Sequence, residues 1–284
     1  MTTTQPSNVS SQEGTVVCCT SARGGVGKTS VSLLLASAIS KSSQRDVEEG
    51  RSEKALSVVV VDMDVRDGQI GFLVGHREPT ILDVNTDPSL IQDSVRQNLI
   101  YAENLGIHVL LAPKRPRDSL GVTLESCHAI LEELRVMFDV VILDTATDYS
   151  DLLLRPLCLP IADLILLVTN RNLHSLCGTS LLLREVTDPI SKNGMGLNKD
   201  SIGVVGNKAM PAEDYSDNDH ATQGLKDEGA TILVSIPSKP VDFMEAGNTL
   251  RYDALLLDPD IDAAFSSLAE KVVRASTRVD RFRA

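Results

Sequence analysis

The sequence predicts a single α/β domain with a mainly parallel, twisted β-sheet and helices on both faces. Short, continuous apolar runs alternate along the chain with segments of helical periodicity. A glycine-rich stretch, residues 21–30, joins the first apolar run to the first helical pattern. Two later runs, at 56–61 and 140–143, lead directly into aspartate. Aspartates in that place favour a ligand crevice at the carboxyl edge of a parallel sheet.

The individual elements follow from the same periodicities. After the glycine-rich stretch, apolar residues recur at helical spacing from Val31 to Ile39, and the polar segment 42–54 is predicted to be an exposed loop. The segment after Pro237, through Gly247, is also predicted to be a loop. Further strands are expected at 56–61, 107–111, 140–143, 164–169, 202–205 and 231–236. Further helices are expected at 90–99, 124–138, 173–186, 214–228 and 261–276.

The glycine-rich stretch has the residues of a phosphate-binding loop. Gly24, Gly25 and Gly27 allow the backbone to curl so that successive N–H groups point at phosphate oxygens, and the following helix adds its positive N-terminal end. Lys28 then reaches the β- and γ-phosphates, and Thr29 holds Mg²⁺. A glycine turn with a surface lysine is the alternative. The predicted nucleotide-binding residues here are Gly24, Gly25, Val26, Gly27, Lys28, Thr29 and Ser30.

The ordinary Walker pattern has a glycine five positions before the glycine of Gly-Lys-Thr. This loop departs from that pattern, because the residue five positions before Gly27 is Ala22. With a cation directly before the glycine pair, it resembles the deviant Walker A motif of the ParA/MinD superfamily of ATPases. The resemblance implies ATP or ADP with Mg²⁺ as cofactor and a homodimer. It also implies that Arg23, at the position of the family's signature lysine, crosses to the partner's phosphates. An arginine there keeps the charge but presents a planar fork, so it either serves as that catalytic cation or fails to fit.

Three aspartates are predicted to complete the site. Asp144 ends the run Asp-Val-Val-Ile-Leu-Asp, which is typical of a Walker B strand, and is placed to hold the water shell of Mg²⁺. Asp62 and Asp64 end an earlier strand and resemble the second signature of the superfamily. The resemblance implies that Asp62 supports Mg²⁺ and that Asp64 positions the attacking water. Strand-ending acidic turns are the alternative for all three.

Two residues are candidates for the adenine side of the site. Asn207 follows a predicted strand and resembles the asparagine that contacts adenine in the superfamily, although asparagine at a strand end is equally good turn chemistry. Pro237, in Ser-Ile-Pro, resembles the proline whose following loop closes over the base.

Shorter motifs resemble one branch of the superfamily. Asp62-x-Asp64 followed by Gly68, and the later turn Leu-Ala-Pro-x-x-Pro at 111–116, are similar to the CpaE/TadZ pilus-assembly proteins. This resemblance implies a slow ATPase that acts as a nucleotide-controlled localisation factor for pilus (Tad/Flp-type) or secretion assembly. A protein partner in an envelope assembly would then be expected, with a polar or peripheral position at the inner membrane face.

Other functions remain open at this point. They are a DNA or plasmid segregation ATPase, a division-site regulator of the MinD type, and a scaffold that nucleotide only stabilises. A formal net charge of −12 counts against nucleic acid as a partner, because nonspecific DNA binding neutralises phosphates with Lys and Arg. The basic C-terminal segment, with Leu268, Val272, Val279 and Phe282 on one face, is a weak candidate for a membrane surface.

The termini and cysteines complete the expectations. A disordered tail at 1–14, an ATPase domain at 15–276 and a basic tail at 277–284 are predicted. No apolar stretch approaches the roughly 20 residues of a membrane span, and the start lacks the pattern of a signal peptide, so a cytoplasmic location is expected. The five cysteines are expected to be reduced core residues, and no metal other than nucleotide-bound Mg²⁺ is expected.

Overall fold

The computed structural model describes residues 13–210 and 220–283, with side chains for residues 13–210 and 222–275. Eight strands form one sheet in the order β3-β4-β2-β5-β1-β6-β7-β8. β3 pairs antiparallel with β4, and the other pairs are parallel. The strands are β1 (Thr15–Thr20), β2 (Val58–Asp62), β3 (Ile100–Ala102), β4 (Ile107–Leu110), β5 (Val140–Asp144), β6 (Leu164–Thr169), β7 (Ile202–Ala209) and β8 (Thr231–Pro237).

Helices cover both faces of the sheet, as the sequence predicts. They are α1 (Lys28–Glu48), α2 (Ile70–Val74), α3 (Ile91–Asn98), α4 (Leu124–Met137), α5 (Leu159–Ile161), α6 (Leu173–Thr187), α7 (His220–Asp227), α8 (Pro240–Thr249) and α9 (Pro259–Arg283). Alternate residues of β1 face opposite layers: Val17 and Cys19 pack with α1 and α9, and Val16 and Cys18 pack with α4 and α6. The single-domain α/β prediction is therefore confirmed.

Helix α1 is longer than its apolar pattern predicts. The segment 42–54 was expected to be a loop, but the helix continues to Glu48 and stops before Gly50, whose φ is 71°. Ser43 explains the extension, because its hydroxyl donates to the Ser40 carbonyl and accepts the N–H of Leu56. The predicted loop is therefore wrong for residues 42–48, where polar side chains bond to backbone groups that the sequence pattern does not reveal.

The segment after β8 also differs from expectation. A loop was predicted from Pro237 through Gly247, but residues 240–249 form α8. Pro240 occupies the first turn of the helix, where its fixed φ and missing N–H are tolerated. The negative charge of Asp242, also in the first turn, interacts favourably with the positive end of the helix dipole. Ala246 is buried and Phe243 is half-buried, so the helix packs one face on the core.

A buried ion pair fixes the edge of the sheet opposite the predicted site. Arg135 of α4 donates to Asp163 across 2.8 Å, and Asp163 also accepts the N–H of Val16 in β1. Gly14 donates its N–H to the Arg135 carbonyl. Residues 1–12 of the predicted N-terminal tail lie outside the described residues.

The C-terminal helix packs on the domain. Leu268 and Val272, two members of the predicted membrane-facing stripe, are fully buried against the core. That part of the proposed stripe is wrong, because these side chains face the protein. The side chains of Val279, Phe282 and the basic tail lie outside the described residues. Of the helix predicted at 214–228, residues 214–219 also lie outside them, and residues 220–227 form α7. No helix in the described ranges has the length and apolar character needed to cross a membrane.

Four of the cysteines are buried, as expected. Cys18, Cys19, Cys127 and Cys158 lie in the core, whereas Cys177 is exposed on α6. The prediction of five core cysteines is wrong for Cys177, which lies on the outer face of α6 together with Leu173 and Leu181, which are 58% and 60% exposed.

The packing of α9 on α1 gives a stability prediction. Phe265 of α9 is fully buried, so Phe265→Ala is expected to lower the free energy of unfolding by about 3 to 5 kcal/mol, through lost transfer energy and the cavity left behind. Chemical denaturation measures this change. Leu257→Ala is the control, because its side chain is 79% exposed and its truncation should cost less than about 0.5 kcal/mol. Equal losses for the two variants would contradict the packing described.

Candidate nucleotide-binding site

The glycine-rich loop connects β1 to α1, as predicted. Gly25 and Gly27 have φ values of 74° and 94°, a left-handed conformation that glycine adopts without strain. Val26, between them, is buried in the core and anchors the loop. No side chain caps the start of α1, so the N–H groups of its first turn lack intrahelical partners and face the loop's concavity with the positive end of the helix dipole. This arrangement suits a phosphate group.

The end of β7 holds this loop in shape. The side-chain amide of Asn207, which is 3% exposed, donates to the carbonyl oxygen of Val26 at 2.8 Å. Lys208 donates from Nζ to the carbonyl of Gly25 at 2.6 Å, and its own backbone is left-handed, with φ of 58°. A Cβ on Gly27 would lie 2.4 Å from Asn207 Nδ2, so only glycine fits there.

This loop contact was missed from the sequence. Asn207 was predicted as an adenine contact, with turn chemistry as the alternative, and Lys208 was given no role. The contact to adenine stays a prediction, as does the role of Pro237. Pro237 ends β8 and pairs with Ala209, so it lies at the same edge of the sheet as Asn207.

Two predicted metal-supporting carboxylates are neighbours across the sheet. Asp62 and Asp144 end β2 and β5 at paired positions, and their exposures are 1% and 2%. Asp62 Oδ2 accepts the N–H of Ile70 at 3.1 Å, while Oδ1 is buried with no hydrogen-bond partner among the described residues. Asp144 Oδ1 accepts the hydroxyl of Ser32 at 3.1 Å. The pair therefore places negative charge in a dry environment.

The electrostatics of this pair follow from burial. Burial raises the pKa of Asp62 well above its ordinary value, and the neighbouring Asp144 raises it further. Burial also raises the pKa of Asp144, to about 6, although the hydroxyl of Thr29 and the ammonium of Lys28 act in the opposite direction. Thr29 and Lys28 thus lie within interaction range of Asp144, as predicted for an Mg²⁺ and phosphate site.

Asp64 lies two residues beyond Asp62 and is partly buried. Its carboxylate accepts the N–H of Asp67 at 3.2 Å. Burial raises the pKa of Asp64, while that hydrogen bond and the ammonium of Lys28 lower it. The structure therefore brings Lys28, Thr29, Asp62, Asp64 and Asp144 together at one end of α1.

These residues fit Mg²⁺ bound with a nucleotide. Asp62 has an unpartnered buried oxygen, and hard carboxylate and hydroxyl oxygens are the ligands that Mg²⁺ prefers. In the described ranges no group of three or more His, Cys, Asp or Glu side chains is arranged to hold a metal alone. Phosphate oxygens and water would therefore complete the coordination shell.

The remaining loop residues occupy the outside of the site. Gly24 and Arg23 are exposed, and the hydroxyl of Ser21 donates to the Arg23 carbonyl at 2.8 Å. The Arg23 side chain runs toward α6, where a Cβ on Gly178 would lie 3.4 Å from its Nε. Its action on a partner's phosphates stays a prediction. Ser30 shares a hydrogen bond with Tyr252, at 3.1 Å, which the sequence did not indicate.

Comparisons with solved structures agree with this fold. A ParA family ATPase from Chlorobium tepidum TLS matches with a TM-score of 0.71 and 16% identity, over 91% of this chain and 98% of that one. The cell division ATPase MinD of Pyrococcus furiosus matches with a TM-score of 0.68 and 20% identity, over 92% and 99%. The septum site-determining protein MinD of Pyrococcus horikoshii OT3, complexed with Mg-ADP, matches with a TM-score of 0.65 and 18% identity, over 91% and 96%.

The chain therefore has the fold of the ParA and MinD P-loop ATPases over nearly its whole length. A scan against protein-family models gives no match, and a search of curated proteins gives none. The structural likeness does not single out the CpaE/TadZ branch.

The raised pKa of Asp144 gives a pH prediction for the protein without nucleotide or Mg²⁺. Its pKa rises from 3.8 in the unfolded chain to about 6 in the folded protein, so the folded state holds this proton more tightly. Its contribution to stability is complete below about pH 4 and is lost as the pH rises through about 6. Asp144→Asn should therefore raise the free energy of unfolding by about 1 to 3 kcal/mol at pH 7.5.

Urea denaturation between pH 5 and 8 checks this expectation. The gain from Asp144→Asn should shrink as the pH falls toward 5, because the wild-type carboxyl becomes protonated. Asp200→Asn is the matched control, since Asp200 is exposed and should show no such gain. Destabilisation by Asp144→Asn at pH 7.5 would show instead that the partners of Asp144 fully compensate the burial of its charge.

Proposed function

We propose that this protein is a Mg²⁺-dependent ATP-binding switch of the ParA/MinD type that hydrolyses ATP slowly. One observation supports this most directly: a loop suited to phosphate, the ammonium of Lys28 and the carboxylates of Asp62, Asp64 and Asp144 meet at one end of α1. Phosphoryl transfer depends mainly on positioning and charge stabilisation, and these groups supply both.

Each residue has a distinct role in the proposed reaction. The loop N–H groups and Lys28 bind the β- and γ-phosphates and neutralise their charge. The hydroxyl of Thr29 and the carboxylates of Asp62 and Asp144 are the groups that would hold Mg²⁺ and its water shell. Asp64 is less buried than either and orients the attacking water toward the γ-phosphate. Bound Mg²⁺ supplies positive charge to the phosphate oxygens.

Arg23 carries the proposed dependence on a homodimer. It is exposed at the outer side of the loop, where a second protomer can approach. A guanidinium contributed to the partner's phosphates would stabilise the charge that develops there. Because its planar fork differs from the compact ammonium of lysine, hydrolysis is expected to be slow.

The biological role that we propose is localisation of a pilus (Tad/Flp-type) or secretion assembly at the cell envelope, through a protein partner. The supporting motif, 111–116, lies beside the metal-supporting carboxylate: Pro113 and Lys114 line the same small cavity as Asp62. A partner that contacts this turn would therefore be placed to sense the occupancy of the site.

Partition of DNA and placement of the division site are alternative roles. They are supported by the fold, which ParA and MinD share. The net charge of −12 and the burial of Leu268 and Val272 argue against general affinity for nucleic acid and against a membrane face on the described part of α9. A scaffold stabilised by nucleotide without turnover is the third alternative.

Phosphate release with ATP and Mg²⁺ tests the proposed activity. Asp64→Ala should lower the rate by about 100-fold or more, because the attacking water loses its orienting carboxylate. Asp200→Ala, which removes an exposed aspartate just before the start of β7, at the edge of the sheet opposite the site, should leave the rate unchanged. Light scattering on the same samples reports whether ATP drives dimerisation.

Arg23→Lys separates a switch from a scaffold. Turnover in the wild type that Asp64→Ala abolishes would establish the ATPase, with Arg23 as an accepted variant of the signature residue. Turnover that appears only in Arg23→Lys would mean that the wild type binds nucleotide without completing the cycle. Wild-type protein that neither binds nor hydrolyses ATP would contradict the proposal.

A further inference from the structure

A hydrogen bond joins the start of α1 to a residue far along the chain. The hydroxyls of Ser30 and Tyr252 lie 3.1 Å apart. Tyr252 is 7% exposed, and a buried tyrosine hydroxyl needs a partner because its desolvation is otherwise uncompensated. Ser30 directly follows Lys28 and Thr29. The bond therefore reaches the first turn of α1, where the nucleotide phosphates are proposed to bind.

The position of Tyr252 is fixed by its surroundings. Its ring packs edge-to-face on Phe243 of α8, with centroids 6.4 Å apart. Helix α8 ends at Thr249 and is followed by Leu250, whose φ of 56° is unusual for a leucine. A short helical turn, Tyr252–Leu257, follows and carries the tyrosine. The hydroxyl is therefore presented by a packed scaffold and not by a loose loop.

Either hydroxyl can be the donor in this bond, because each carries one O–H and can also accept. A bound anion would decide which of the two donates. A phosphate oxygen is a stronger acceptor than a neutral hydroxyl, since hydrogen bonds to charged groups are shorter and stronger. With phosphate beside α1, the Ser30 O–H would donate to it, and the Tyr252 O–H would donate to Ser30 Oγ.

We propose that Tyr252 is a positioning residue of the nucleotide site, which orients the Ser30 hydroxyl toward a phosphate oxygen. The bond also ties the segment after α8 to the phosphate-binding turn. This inference rests on the proposed nucleotide binding and names a residue of that site which no motif in the sequence identifies.

The test is a double-mutant cycle on nucleotide affinity. The dissociation constants of Mg-ATP and Mg-ADP are measured by calorimetry for wild type, Tyr252→Phe, Ser30→Ala and the double variant. Tyr252→Phe keeps the packed ring and removes only the hydroxyl, so it should weaken both nucleotides by about 3- to 10-fold. In the Ser30→Ala background the same change should have no further effect, because the hydroxyl that Tyr252 orients is gone.

Controls separate positioning from general stability. Tyr101→Phe removes the hydroxyl of a half-exposed tyrosine on β3 and should leave both affinities unchanged. Thermal unfolding without nucleotide identifies loss of fold. If Tyr252 had a purely structural role, Tyr252→Phe would lower the melting temperature. It would also weaken nucleotide binding by the same factor in the wild-type and Ser30→Ala backgrounds.

The outcomes distinguish this inference from the proposed function. Wild-type protein that binds neither nucleotide overturns both. If the wild type binds and Tyr252→Phe changes affinity by less than about twofold, the role of Tyr252 is overturned and nucleotide binding stands. The role of Tyr252 is also overturned if the free-energy losses of the two single variants add up in the double variant. A loss that disappears without the Ser30 hydroxyl supports the proposal.

Discussion

The site depends on two carboxylates that are buried side by side without a full complement of partners. Asp62 and Asp144 end neighbouring strands, where continuous apolar runs exclude water from both. The hydroxyl of Ser32 and the N–H of Ile70 satisfy only part of their hydrogen-bonding capacity. Such an arrangement costs stability in the protein alone, and a bound cation would offset that cost. A cation bound beside Asp62 and Asp144, at this edge of the sheet, would therefore stabilise the folded protein.

The glycine-rich loop between β1 and α1 is held from several distant parts of the chain. Asn207 and Lys208 bond to its carbonyl groups from β7, and Tyr252 reaches the first turn of α1. Loop curvature alone would leave a glycine-rich segment with large conformational freedom. These contacts reduce that freedom before any ligand arrives, so less of the binding energy is spent on ordering the loop.

The sequence predicted what depends on neighbouring residues. Strand β6 has the predicted bounds. The glycine-rich loop lies between β1 and α1, and Asp62 and Asp144 end β2 and β5, as predicted. Contacts between separate segments were missed: the bond from the Leu56 N–H to Ser43 near the end of α1, and the bonds of Asn207 and Lys208 to the loop. Helix α8 was missed because its apolar residues do not lie on one face: Ala246 is buried, whereas Val241 and Met244 are exposed. A hydrogen bond such as Ser30 to Tyr252 has no local signature, since it is created only when the chain folds.

The most direct test of whether Asp62 and Asp144 support a cation is the Mg²⁺ dependence of ATP binding by the wild-type protein. Calorimetric titrations with ATP at pH 7.5, with Mg²⁺ and with a chelator, compare the two affinities. If Asp62 and Asp144 are buried to support a cation, ATP should bind at least about tenfold more tightly with Mg²⁺. Equal affinities in the two titrations would contradict the account, because the buried carboxylates would then have no part in holding the nucleotide.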